Sequence, residues 1–209
     1  MRVGLLVFEG VDLLDAGGPY EVFLTASRLV ARDGDPVPFE VVTISRTGAP
    51  VTAYGGLGLV PQASVESCGP LDVVVVPGTV DVDAATGDAS LVEAVRRLAA
   101  TSELTASVCT GAFLLASADL VGDRPWTTHW EDIDALAARV GGGDGGVRGV
   151  RGVRWVDAGD VVTAAGLSSG IAMALHLVDR LAGRDLAERT ARQIDYPWRP
   201  DGSTDPPGS

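Results

Sequence analysis

The run Asp72-Val73-Val74-Val75-Val76, closed by Pro77-Gly78, constrains the fold more than any other feature of this 209-residue chain. Successive side chains of a strand point to opposite faces, so four consecutive valines place apolar groups on both. Such a strand is stable only where both faces of its sheet are covered, as in parallel sheets flanked by helices. Val3–Phe8 is a second run of this kind, and residues 39–44 (FEVVTI) and 104–108 (LTASV) read as further strands.

Helical segments separate them. Gly18-Pro19 precedes YEVFLTASRLVAR, with Pro19 suited to a first helical position and Gly34 to a stop. Ser90-x-x-Glu93 fits a capping box ahead of LVEAVRRLAA. A helix is predicted over 110–117, and Ser168-Ser169-Gly170 caps another, IAMALHLVDRLAG. Residues 153–156 and 161–163, around Asp157-Ala158-Gly159-Asp160, read as a hairpin. Alternating strands and helices imply βαβ units, hence an α/β fold with a mostly parallel sheet. One domain over 1–195 is expected, followed by a Pro/Gly/Ser-rich tail at 196–209; the glycine-rich stretch 141–152 reads as a loop, not a phosphate cradle.

Composition narrows the function. The net charge of −12, with 16 scattered basic residues, argues against a nucleic-acid surface. The apolar N-terminal run is too short for a signal peptide or a membrane span, so a cytoplasmic protein with reduced thiols is expected. Two cysteines, Cys68 and Cys109, without CxxC or a Cys/His cluster, offer no metal site.

In an open α/β sheet, ligands gather at the carboxyl ends of the strands. Residues 9–15, Pro77-Gly78-Thr79, Cys109 and the loop before Ser168 all fall there. Cys109 has two readings. It is either a small packed hydrophobe or a reactive thiol at a strand-to-helix corner, where the helix N-terminus lowers its pKa and the amides of Thr110 and Gly111 face a developing anion. Cys68 lies in a loop and reads as inert. Among the carboxylates after the first strand, Asp12 reads as a turn residue and Glu21 as a first-turn helix acid. Asp15, between Leu14 and Ala16-Gly17, has an apolar setting that raises its pKa and suits it to general acid or base work. His129 is either a loop anchor or an accessory base for Cys109, and His176 is a helix residue. Tyr20, Trp126 and Trp130 are candidates for either a pocket wall or the core.

Four separated motifs carry a resemblance that runs from residue 3 to about 194: LLVFEGVDLLDAGGPYEVF (5–23), DVVVVPG (72–78), SVCTGAFLLASADLVGDRPWTTHW (107–130) and AAGLSSGIAMALHLVDRLAG (164–183). The chain resembles the ThiJ/PfpI superfamily, relatives of class I glutamine amidotransferase domains. The resemblance implies a flavodoxin-like three-layer sandwich, a nucleophile-elbow cysteine and a homodimer. Within the superfamily, Asp15 in LLD-x-x-GP with CTG and TTHW is similar to isocyanide hydratases. That implies Cys109 as nucleophile, Asp15 as proton carrier, Thr110 lining the site, backbone amides near Gly78 facing the reacting atoms, and no cofactor. The implied reaction adds water to an isocyanide through a thioimidate, releasing a formamide. SVCTGAFLLA and TTHW also resemble the sensor halves of AraC-type regulators, so a non-catalytic small-molecule or redox sensor stands as an alternative, as does another Cys-dependent reaction such as glyoxalase or amidase chemistry. Thr79 departs from the pattern, which has a second glycine there; its side chain is expected to narrow the pocket or alter the amide geometry.

Overall fold

A computed structural model describes residues 1–141 and 149–204. In chain order the elements are β1 (Arg2–Leu6), α1 (Leu13–Asp33), β2 (Glu40–Ser45), β3 (Val51–Thr52), β4 (Gly58–Leu59), β5 (Ala63–Ser64), β6 (Leu71–Val76), α2 (Val82–Gly87), α3 (Ala89–Ala100), β7 (Ser102–Val108), α4 (Gly111–Ser117), α5 (Ile133–Arg139), β8 (Trp155–Asp157), β9 (Val161–Ala164), α6 (Ser169–Ala182) and α7 (Arg184–Gln193). Seven strands form one sheet in the order β5-β2-β1-β6-β7-β9-β8, parallel throughout except for the β8–β9 hairpin. β3 and β4 pair separately and antiparallel.

The valine run behaves as its pleat dictates. Val73 and Val75 pack into the core beneath α1, α6 and α7, whereas Val74 and Val76 join the core beneath α2, α3, α4 and α5. β6 lies between β1 and β7, with Val3 opposite Val73 and Val76 opposite Ser107. β1 leads outward to β2 and β6 leads the other way to β7, so the direction of winding reverses between β1 and β6. Ligand sites of such sheets lie outside the strand ends at that point.

Two helix starts differ from the sequence reading. α1 begins at Leu13, not at Pro19, because the Asp12 carboxylate accepts the Leu14 N–H (3.0 Å) and caps the helix six residues earlier. Pro19 therefore sits inside the helix, where it withholds an N–H from the Asp15 carbonyl. The residue is buried among Ala16, Val22 and Phe23, and that burial offsets the missing bond. The second difference is α3. Its N-cap is Asp88, which accepts the N–H groups of Ser90 (2.8 Å) and Leu91 (3.2 Å), while the Ser90 hydroxyl turns back to Asp88 and Glu93 pairs with Arg96. An ionised Asp two residues earlier outcompetes the Ser-x-x-Glu box.

The hairpin forms as read, with Trp155 opposite Ala164. Of the glycine-rich stretch, 142–148 lie outside the described residues, and Gly149 packs flat on Trp126. In the tail, the Trp198 indole N–H donates to Ala172 O (3.1 Å), Gly202 seats on Trp155, and 205–209 lie outside the described residues. No helix among the described residues is long and apolar enough to cross a membrane.

Candidate active site

Between Val108, the last residue of β7, and Gly111, the first of α4, the chain makes a sharp corner with Cys109 at φ +56. A left-handed conformation is uncommon away from glycine and persists only where surroundings enforce it. Here the Cys109 N–H is shared between Ala164 O and Ala165 O (both 3.1 Å), and its carbonyl accepts the buried Thr128 hydroxyl (2.8 Å). Gly111 permits the corner by close approach: a β-carbon there would collide with the carbonyls of Val76 and Pro77. The role of Gly111 visible here is packing.

Asp15 arrives from the first turn of α1 and is 0% exposed. Its Oδ2 accepts the Gly78 N–H (3.1 Å), while Oδ1 has no hydrogen-bond partner among the described residues. The Cys109 thiol lies beside this carboxylate. Burial, and secondarily the charge of Asp12, push the Asp15 pKa up to about 7, against smaller downward effects from Gly78 and Cys109. The apolar-setting reading of Asp15 thus has its physical cause in complete burial.

Cys109 runs opposite to the sequence expectation. Its thiol is pushed up to about 12, first by burial and then by the Asp15 charge, against downward effects from the N–H groups of Leu167 and Thr110. A corner thiol was expected to gain from the helix terminus, but α4 has only seven residues and the sulfur is almost wholly covered. The second of those upward effects vanishes when Asp15 is protonated. Carboxyl and thiol are therefore a coupled pair that holds two protons below about pH 7 and shares one above it.

Thr110 and Gly78 close the site. Thr110 Oγ1 accepts the Thr79 N–H (2.8 Å) and donates to Thr79 O (2.7 Å), so its proton is already committed. A β-carbon on Gly78 would stand 2.7 Å from Asp15 Oδ2 and 2.8 Å from Thr110 N, filling the space between the two. Glycine at 78 keeps that cradle open. The Thr79 hydroxyl is engaged elsewhere, donating to Gly10 O (2.8 Å).

This constellation of elbow cysteine, buried acid and glycine cradle can be set beside known proteins. The DJ-1/PfpI family model matches residues 1–180. The chain belongs to the DJ-1/PfpI family. It is 31% identical over 196 residues, 94% of this chain and 78% of the relative, to the isonitrile hydratase of Pseudomonas putida. It is 25% identical over 194 residues to the transcriptional regulator GbdR of Pseudomonas aeruginosa, spanning half of that protein. Among solved structures, a ThiJ/PfpI family protein of Pseudomonas syringae superposes with TM-score 0.81 at 27% identity, covering 100% of this chain and 78% of that one. An AraC family transcriptional regulator from Pseudomonas putida does so with TM-score 0.73 at 23% identity, covering 92% and 98% respectively.

The family fold thus brings Asp15, Gly78, Cys109 and Thr110 together, and leaves His129 outside that group. The His129 ring packs on Gly166, and Nδ1 faces Asp132 (3.4 Å) and Glu131 (3.7 Å); no bond joins it to Cys109 or Asp15 among the described residues. Trp126 is wholly buried in the core, Trp130 is largely exposed, and Tyr20 lines a shallow apolar groove with Leu13 and Val60. Cys68 is buried, its thiol directed at the Val65 and Gly69 carbonyls, and His176 bonds Asp157 (2.7 Å). Residue-level reading did not single out Leu167, whose N–H faces the Cys109 sulfur, or Thr128, which holds the Cys109 carbonyl. Leu167 contributes only its backbone, at φ +42, which no side-chain type signals. Among the described residues no group of three or more His, Cys, Asp or Glu forms a metal-binding cluster.

Proposed function

We propose that this DJ-1/PfpI protein hydrates isocyanides to N-substituted formamides, with Cys109 as nucleophile and Asp15 as the sole proton carrier. The observation that carries this reading is the buried pair: a carboxyl poised near neutrality, with one oxygen unpartnered among the described residues, beside the thiol. Likeness to the Pseudomonas putida isonitrile hydratase over nearly the whole chain supports it.

The chemistry suits one thiol and one carboxyl. The proton shared by the pair goes to the terminal carbon of R–N≡C, making that carbon electrophilic, and the sulfur bonds to it as a thiolate. The product is a thioimidate, R–N=CH–S–Cys109, with Asp15 ionised. Asp15 then takes a proton from water as the oxygen attacks the same carbon, and passes that proton to nitrogen. The adduct R–NH–CH(OH)–S–Cys109 collapses: the C–S bond breaks, the hydroxyl proton goes to Asp15, and R–NH–CHO leaves. The pair again holds one proton, and no oxidant or cofactor enters the cycle. Gly78 holds Oδ2 throughout, leaving Oδ1 to move protons, and the amides of Leu167 and Thr110 stabilise charge on sulfur. The protein is taken to work as a cytoplasmic homodimer on a small-molecule substrate, without nucleic acid or membrane.

Steady-state formation of a formamide from a simple aryl isocyanide, beside Cys109→Ala, tests this. Turnover lost in the variant establishes nucleophile and reaction together; a folded, reduced wild-type protein without turnover sinks it. The likeness to GbdR and the AraC family regulator favours a second reading, a small-molecule sensor that keeps the elbow cysteine. Asp15→Ala separates the two, because hydration collapses in an enzyme while ligand binding survives in a sensor.

A further inference from the structure

Thr79 lies outside the reacting pair yet touches both the loop that leads to Asp15 and the elbow that carries Cys109. Its backbone N–H and C=O are both taken by Thr110 Oγ1 (2.8 and 2.7 Å), next to the elbow. Its side-chain hydroxyl donates to Gly10 O (2.8 Å), across to the loop that leads from β1 into α1 and Asp15. Two backbone links run the same way: Thr79 forms an antiparallel bridge with Val11, and the Asp12 N–H donates to Gly78 O (2.9 Å). Thr79 is 7% exposed, so these bonds are shielded from water. A buried bond that fixes two loops relative to each other sets distances a flexible contact does not.

We propose that Thr79 is a positioning residue for the reaction, whose hydroxyl fixes the Asp15 carboxylate against the Gly78 amide and the Cys109 elbow. This rests on the reading of Asp15 and Cys109 as the reacting pair. A glycine at 79 would keep the backbone bridges but lose the tie to Gly10, and the helix start carrying Asp15 would then be held on that side by main-chain bonds alone. The Gly78 amide is one of the contacts that hold the Asp15 pKa down, so loosening it raises the carboxyl further.

The test compares wild type, Thr79→Val and Thr79→Ser by turnover of an aryl isocyanide across pH, and by the pH dependence of iodoacetamide alkylation read on the Cys109 peptide. Loss of the hydroxyl in Thr79→Val is expected to lower kcat about tenfold. KM is expected to stay within about threefold, the carboxyl midpoint of the turnover profile to move upward, and the thiol midpoint read by alkylation to move downward as the Asp15 charge is held less closely. Thr79→Ser, which keeps the hydroxyl, restores both. A purely structural residue would lower the melting temperature and leave both midpoints in place, and that result overturns the proposal, as does a serine variant no better than valine. Should Thr79→Val fold poorly, Thr79→Ala removes the same hydroxyl and meets the same criteria. If the wild type itself shows no turnover, the hydratase reading fails, while the alkylation midpoint still decides the role of Thr79: a downward shift supports it and an unchanged or raised value overturns it.

Discussion

The main-chain N–H of Gly78 donates to Asp15 Oδ2 at 3.1 Å, and the α-carbon of the same glycine leaves no room for a methyl group beside that oxygen. One residue thus holds the carboxylate and keeps the space next to it open. Gly78→Ala is expected to force Asp15 and Thr110 apart, at about 1–3 kcal/mol of stability. Activity should fall below detection while the fold survives. A urea melt paired with the formamide assay checks both parts; an alanine variant with ordinary turnover would show that the cradle is not needed.

Asp15 makes stability depend on pH in a definite direction. Its folded pKa, about 7, lies above the ordinary 3.8, so the native state holds a proton that the unfolded chain has already released. The stability this confers is complete below pH 3.8, declines through the window up to about 7, and is gone above it. Over that window the loss is on the order of a few kcal/mol. Asp15→Asn cannot ionise, so it should stabilise the protein relative to wild type at pH 8 and do little at pH 4. Activity should drop by roughly 10²–10⁴-fold, the usual value of a general acid or base. Urea titrations of both proteins at the two pH values decide it: equal differences would mean that Asp15 is already ionised at neutrality.

His129 separates an accessory base from an anchor. Packed on Gly166 and facing Asp132 and Glu131, it is expected to hold the loop after α4. His129→Ala should cost on the order of 1 kcal/mol of stability and change kcat by less than about threefold. A loss of about a hundredfold with an intact fold would return it to the reacting group.

The parallel sheet was legible because four valines in a row admit no other stable placement, and the hairpin was legible in its polar turn. The elbow was legible in a cysteine followed by threonine and glycine at a strand-to-helix corner. The start of α1 was not: Gly18-Pro19 reads as a helix start, whereas the Asp12 cap begins the helix at Leu13 and leaves Pro19 buried in its interior. The thiol's upward shift was hidden for a related reason. Sequence locates a helix terminus, but desolvation and a neighbouring carboxylate depend on how completely distant segments close over the sulfur. Likewise Leu167 reaches Cys109 through its backbone, and a main-chain contact leaves no trace in residue type.

The rival caps of α3 can be told apart by substitution. With Asp88 accepting from Ser90 and Leu91, Asp88→Ala is expected to cost about 1 kcal/mol. Glu93→Ala, which removes only an exposed pair with Arg96, should cost less than about 0.5 kcal/mol. The order reverses if the Ser-x-x-Glu box is the true cap, so two denaturation curves suffice.

At the sheet edge, Asp157 joins the β8–β9 hairpin to α6 by accepting from His176 (2.7 Å) and from Arg180 (3.1 Å), while Trp155 stacks on the His176 ring. Burial alone would raise the Asp157 pKa, but the His176 bond, the Gly159 amide and Arg180 outweigh it and hold the carboxyl below the usual range. The stability this contributes is present above the ordinary carboxylate pKa and is lost as pH falls through the lowered one. Asp157→Asn keeps the shape but gives up the charge, and should cost about 1–2 kcal/mol at pH 7. The difference from wild type should shrink as pH falls through that lowered value and the native carboxylate protonates. Because Asp157 shares no side-chain bond with the pair among the described residues, kcat for isocyanide should stay within about twofold of wild type. A variant that loses turnover but not stability would tie the sheet edge to the reacting pair instead.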